Sequence, residues 1–465
     1  MSAANLKKQF SGDYIGYFRK KPFIITTSLI ILGAAYFWLP ILFKTTYESP
    51  LSAQGGLSAT AVAYNSPEVL PPPVVMHLPP PQAQKVIYMT SCVAGTPSFR
   101  KDLVELVETT ELNSILIDIK DFSGTLSFFP EDESLKALVS DRCRAPDMKE
   151  FIETLHDKGI YVIGRITVFQ DPYFAKLRPD LAVKKASDGS TWKDYKGISY
   201  MDPGSKEVWD HTVAIAKESY AIGFDELNFD YIRFPSDGPM SDIAFTWSGN
   251  RKKADVLEDF FLYLSSQLKP TDSTHSTSSG QAGSPQARPM LSADLFGMTT
   301  TNTDDLNIGQ VLEKAAPYFD YIAPMVYPSH YPPRFNGWDN PNKYPYEVIK
   351  FSMDEAVKRF LATSTAVAMR GTEPLSTPKS GGDAATGQAS TSQAVATKPS
   401  GPLLYPKEVW DKLKLRPWLQ DFDYGGNYDI AEVKAQITAV YDAGLTSWML
   451  WAPSNRYTKG ALLPE

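Results

Sequence analysis

The residues best suited to chemistry in this chain are carboxylates set into short apolar runs. In Phe224–Pro235 (FDELNFDYIRFP), Glu226, Asn228 and Asp230 alternate with Leu227 and Phe229. In an extended strand this period of two puts the polar three on one face and the apolar pair on the other. Asp294 sits between Ala293 and Leu295, and Asp118 shares one face of Ile117–Lys120 with Lys120. Arg165, in Gly164-Arg165-Ile166, adds a guanidinium. Several carboxylates with basic neighbours on one rim suit glycosidic bond cleavage. There one carboxyl group protonates the departing oxygen while a second attacks carbon or activates water. Crowding raises the pKa of one member, which suits the acid. Asp230 is therefore the expected nucleophile or base, and Asp294 the expected acid.

The other candidates are expected to position substrate: Asp118, Lys120, Arg165, Tyr231, Arg233, Tyr327, Gln420, Asp421 and Trp451. Aromatic rings among them, with Trp418, could stack on the apolar faces of sugars. Each has a plainer alternative. Asp118 could pair with Lys120 or Arg165, and Asp230 could cap a turn or pair with Arg233. Asp294 could simply bond a neighbouring strand loop, and Tyr327 and Trp451 could be core residues closing a barrel. Gln420 and Asp421 alternate, so one of them must face away from any site. Glu226 is expected deeper and structural, beside Arg165. His330, in a loop rich in Pro and Tyr, reads as a surface residue, and Asp171, Asp202 and Asp237 read as turn residues.

Composition narrows the classes. Formal net charge is −7, which disfavours general attraction to nucleic acid. Five scattered histidines show neither HxH nor HExxH spacing, and no EF-hand-like spacing occurs, so neither metal nor cofactor is expected. Cys92 and Cys143 are too few for a disulfide framework; they form either one bridge or two buried thiols.

Residues that must meet at one rim need elements to carry them there. Eight apolar runs alternate with amphipathic segments: 86–91, 114–120, 161–169, 226–231, 290–296, 321–327, 416–422 and 447–452. The intervening helices are expected at 147–158, 206–221, 255–268, 305–316, 346–361 and 430–443. Glycines 159, 223 and 444 fall just past helix ends, where left-handed backbone is needed. Eight β-then-α units predict an α/β fold, a closed parallel (β/α)8 TIM barrel, with the site at the C-terminal ends of its strands. A doubly wound sheet is the alternative, but Ser91–Gly95 is no GxGxxG turn.

Residues 22–43 carry no charge, enough to cross a bilayer core as a helix, and Lys7, Lys8, Arg19, Lys20 and Lys21 precede them. The positive-inside bias predicts a single-pass anchor in the cytoplasmic membrane, with residues 1–21 inside and the barrel outside. A Pro-rich linker follows over 44–84, then the barrel over 85–465 with low-complexity insertions at 271–289 and 371–401.

The run GFDELNFDYIRFP (223–235) resembles the fourth-strand signature of the putative glycosyl hydrolase domain family. ILIDIKDFSG (115–124), IGRITVFQD (163–171), YMDPGSKEVWD (200–210), YIAPMVYPSHY (321–331) and RPWLQDFD (416–423) are similar to it in the same order. The resemblance implies a barrel related to α-amylase and chitinase-like glycosidases. In the α-amylase-like pattern the strand-four aspartate is the nucleophile, the place of Asp230; the strand-five acid there is a glutamate, where this chain has Asp294. The chitinase-like glutamate two residues on is Ile232 here. The expectation is thus a membrane-anchored glycoside hydrolase acting on an envelope or exported polysaccharide or oligosaccharide. A non-catalytic carbohydrate-binding barrel and a metal-dependent polysaccharide deacetylase are the alternatives.

Overall fold

A computed structural model describes residues 75–269, 288–370 and 410–465. The expected anchor (22–43), most of the linker and nearly all of both insertions lie outside the described residues. Among the described residues no helix is long and apolar enough to cross a membrane.

Eight strands close into a parallel barrel: β1 (Lys85–Met89), β2 (Ser114–Lys120), β3 (Tyr161–Thr167), β4 (Glu226–Asp230), β5 (Met290–Phe296), β6 (Tyr321–Met325), β7 (Trp418–Gln420) and β8 (Trp448–Trp451). Each pairs with its sequence neighbours, and β1 closes on β8 through Lys85–Trp448 and Ile87–Leu450. The strands are buried on both faces, one covered by the helices and the other by the barrel interior. Val86, Leu116, Tyr161, Ile163, Trp418 and Met449 fill the interior. Ile87, Ile115, Ile117, Leu227, Phe229 and Leu450 alternate with them and pack in the outer core with the helices.

The helices around the barrel include α1 (Pro97–Glu108), α2 (Met148–Asp157), α3 (Lys206–Ala221), α4 (Lys253–Leu268), α5 (Leu312–Ala315), α6 (Pro345–Arg370) and α7 (Ile430–Asp442), with short helical turns at Ser91–Ala94 and Pro172–Leu177 after β1 and β3. The expected glycines do turn left-handed past helix ends, with φ of 71° at Gly159 and 73° at Gly444. The helix expected over 305–316 shrinks to α5. The carboxylates of Asp304 and Asp305 accept from the N–H groups of Leu306 and Asn307, and both of these residues have positive φ. Local side-chain bonds have outcompeted the helix there.

The lower end of the barrel is plugged by ions, with one correction to expectation. Glu226 is deep and buried, but its partner is Arg416, not Arg165; Tyr161 Oη and Gln84 Nε2 also donate to it, each over 3.4 Å. Residues 75–84, expected in the linker, lie against this end of the barrel. Buried Asp225 accepts from Leu78 N at 2.6 Å and Val162 N at 2.8 Å, and His156 lies 3.0 Å away. At the opposite end, Cys92 and Cys143 form a disulfide that ties the loop after β1 to the loop after β2.

Candidate active site

Register decides what meets at the upper rim. Asp118 on β2 lies beside Arg165 on β3, Arg165 beside Asn228 on β4, and Asn228 beside Ser292 on β5. Asp230 and Asp294 stand two residues further along their strands, on the same inward face. Arg165 is the hub. Its Nη1 donates to Asp118 Oδ1 at 2.6 Å, and its Nε to Asp230 Oδ2 at 3.1 Å, an oxygen that Nη2 also reaches. Asp294 Oδ2 lies 3.9 Å from the same Nε. The Asp230 and Asp294 oxygens are therefore no more than about 7 Å apart, the sum of 3.1 and 3.9 Å through the shared nitrogen.

Three nearly buried carboxylates around one guanidinium would carry two uncompensated negative charges if all were ionised, and a low-dielectric interior disfavours that. Burial, and then the charge of Asp230, push the Asp294 carboxyl up to about 8. Its Oδ1 accepts from Trp418 Nε1 at 2.8 Å and Asn228 Nδ2 at 2.9 Å. Burial also raises Asp118, against the pull of Arg165, and Tyr88 Oη donates to its Oδ2 at 2.5 Å. Asp230 instead has charge-stabilising donors on both oxygens: Arg165 on Oδ2 and Tyr231 N on Oδ1 at 2.6 Å. That last bond needs a sharp turn at the strand end, where Tyr231 takes φ of 52°. A non-glycine residue there stores about 1 kcal/mol or more.

Asp230 opens into a pocket lined by Tyr231, Arg233, Tyr327, His330, Tyr331 and Trp451. Asp294, Arg165 and Trp418 border the narrow space beneath it. Tyr327 and Trp451 pack with ring centroids 5.1 Å apart, and Trp451 Nε1 is a buried donor with no protein partner among the described residues. His330 lines the pocket rather than serving only the surface, with its ring edge-on to Tyr327.

Asp118 is buried behind Arg165 without lining the pocket, and three further candidates stand away from it. A register shift between Asp118 and Lys120 takes Lys120 off the common face, and its Nζ meets Asp171 at 2.6 Å. Gln420 faces inward like Trp418, but its amide spans Ser329 N and Phe422 O. Asp421 points the other way and accepts from Thr458 N and Oγ1. Asp230 pairs with Arg165, not with Arg233. Tyr88 and Asn228, which hold Asp118 and Asp294, had not been singled out, although alternation already placed Asn228 inward. Trp418, expected to stack on sugar, holds Asp294 instead.

Among the described residues no group of three or more His, Cys, Asp or Glu side chains is disposed to hold a metal ion. Arg165 occupies the place between the three carboxylates that a cation would take.

The domain family described as "putative glycosyl hydrolase domain" matches residues 86–370 and 402–457. No curated protein matches the chain. Among solved structures, a hypothetical protein from Ruminiclostridium thermocellum is 30% identical, with a TM-score of 0.36, over 40% of this chain and 94% of its own. The PgaB (BpsB) glycoside hydrolase domain from Bordetella bronchiseptica is 12% identical, with a TM-score of 0.48, over 80% and 94%. The spore cortex-lytic enzyme SleL from Bacillus megaterium is 9% identical, with a TM-score of 0.42, over 84% and 74%.

Proposed function

The chain belongs to the "putative glycosyl hydrolase domain" family, and from that premise we propose that it hydrolyses glycosidic bonds with Asp230 and Asp294. The observation that carries this is the pairing of two buried carboxyl groups, Asp230 on the wall of an open pocket and Asp294, whose pKa burial raises, just beneath it. Burial and the neighbouring Asp230 favour a proton on Asp294, while Asp230 accepts hydrogen bonds from Arg165 Nε and Tyr231 N. In the first step the proton of Asp294 passes to the glycosidic oxygen as the bond to the anomeric carbon breaks, and Asp230 attacks that carbon. Water then cleaves the glycosyl ester, giving its proton back to Asp294. A separation of at most about 7 Å covers the retaining spacing of about 5–5.5 Å and only the bottom of the inverting range. Retention of anomeric configuration is the outcome this favours.

The substrate we propose is an envelope or exported polysaccharide, met outside the cytoplasmic membrane by a barrel anchored through residues 22–43. The uncharged run behind five basic residues supports the anchor. The Cys92–Cys143 bridge supports an oxidising compartment. A carbohydrate-binding barrel without turnover is the second reading, favoured by one feature: both Asp230 oxygens already accept protein hydrogen bonds.

The test is release of new reducing ends from a panel of envelope and extracellular polysaccharides, with Asp230→Asn in parallel. Release that drops at least about 1,000-fold in the variant supports the assignment. Release that persists in it moves the chemistry elsewhere on the rim. Glycan binding without release from either protein favours the second reading.

A further inference from the structure

The pocket above Asp230 is lopsided in its hydrogen-bonding character. Its one carboxylate is already occupied by Arg165 and by Tyr231 N. What remains on the walls is mostly donors. Trp451 Nε1 is buried without a partner among the described residues, and the Tyr327 hydroxyl, raised well above its ordinary pKa chiefly by burial, stays protonated. The fullest donor is Arg233. It lies just past the left-handed residue Tyr231, and its guanidinium sits 5.1 Å from the centroid of the Tyr231 ring. Among the described residues only its Nη1 is engaged, by Phe234 O at 3.1 Å and Ser236 Oγ at 3.2 Å, both neutral acceptors. Among the described residues no carboxylate forms an ion pair with it. Asp230, three positions earlier, is held by Arg165.

Among the described residues this half-buried guanidinium, set over an aromatic ring, keeps N–H groups without an acceptor and has no carboxylate partner. Its planar fork matches a carboxylate bidentately. We infer that the pocket takes an acidic sugar, a hexuronate, whose carboxylate is received by Arg233 while its ring lies against Tyr327 and Trp451. The inference rests on the carbohydrate reading of the site but not on turnover. Because the whole molecule is acidic, long-range attraction of a polyanion is not what selects the ligand. Selection is local, one ion pair at a set distance from Asp230.

The test is calorimetric binding, without reference to hydrolysis, by the full chain in detergent micelles. The probes are tetrasaccharides of galacturonate, glucuronate and mannuronate, each with its carboxyl-reduced counterpart, and a sulfated glucan tetrasaccharide. The wild type is expected to bind at least one uronate about tenfold or more tightly than its reduced counterpart, as loss of a charge-assisted pair implies. Arg233→Gln should erase that difference, and Arg233→Lys should keep part of it. Equal binding of acid and reduced forms by the wild type overturns the inference, and needs no variant to fold. A preference that survives Arg233→Gln overturns it too, as does the absence of binding by every uronate. A preference for the sulfated probe over all uronates overturns the carboxylate assignment. Uronate binding without cleavage would sink the hydrolase reading and leave this one standing; cleavage of neutral glycans alone would do the reverse.

Discussion

Asp294 can be tested by titration as well as by substitution. Its raised pKa means the folded protein keeps a proton that the unfolded chain, at 3.8, has already released. Stability from this group is therefore full below the unfolded value and declines as pH rises from there to about 8. Asp294→Asn keeps an oxygen for Trp418 and Asn228 but cannot ionise. Chemical denaturation at pH 4 and pH 8 should find the variant gaining on the wild type by about 2 kcal/mol or more across that interval. A constant difference would mean that Asp294 is ionised in the fold. Hydrolysis should respond in the same sense, with wild-type kcat/KM falling as pH passes through about 8 as the acid loses its proton. Asp294→Asn should lower it by about 100-fold or more at neutral pH. Period-two alternation made Asp230, Asp294 and Asp118 legible as inward carboxylates, because strand faces are a local property. Arg165 was legible as a partner for Asp118 but not for Asp230: there the sequence offered Arg233, three residues away, whereas the register of β3 against β4 delivers Arg165.

Strand-to-strand fit is where local reading gave out. Asp118 and Lys120 are two apart and should share a face, yet a register shift between them separates the two side chains. Nothing in ILIDIKD marks that irregularity, since it depends on how β2 meets β3. Gly164 shows what the same contact requires. A Cβ there would stand 2.1 Å from Ile119 Cδ1 and 2.9 Å from Phe224 Cδ1. Because Gly164 immediately precedes Arg165, a methyl group pushes β3 away from its cover and moves the guanidinium hub with it. Gly164→Ala should cost about 1–3 kcal/mol in thermal or urea unfolding, as overpacking does. It should also lower kcat more than it raises KM, because the displaced group orients Asp230 rather than filling the substrate pocket. A variant as active and as stable as the wild type would show that β3 is free to shift, and that Arg165 is not held where the register puts it.

At the scale of the whole molecule, the fold was readable because eight apolar runs recur along the chain with helical segments between them, so no single misplaced boundary could change the count. Pairing of the two cysteines was not readable, since it depends on where the loops after β1 and β2 meet. The bridge joins residues 51 apart in sequence, and it closes a loop containing α1 and β2. Closing a loop of that length restricts the unfolded chain more than the folded one, for a gain of about 2–4 kcal/mol. Cys92→Ser with Cys143→Ser, or reduction of the full chain, should therefore lower Tm by several degrees, read by circular dichroism with and without dithiothreitol. Because the bridge ties segments at the rim that carries the proposed site, the reduced protein should also lose activity at temperatures below its own unfolding transition. If reduction changes neither Tm nor rate, the bridge contributes no stability and its support for an oxidising compartment weakens with it. If Tm falls as expected, a chain that depends on a disulfide is one suited to fold and work outside the reducing cytoplasm, the location proposed for the barrel from the uncharged run at 22–43 and the basic residues before it.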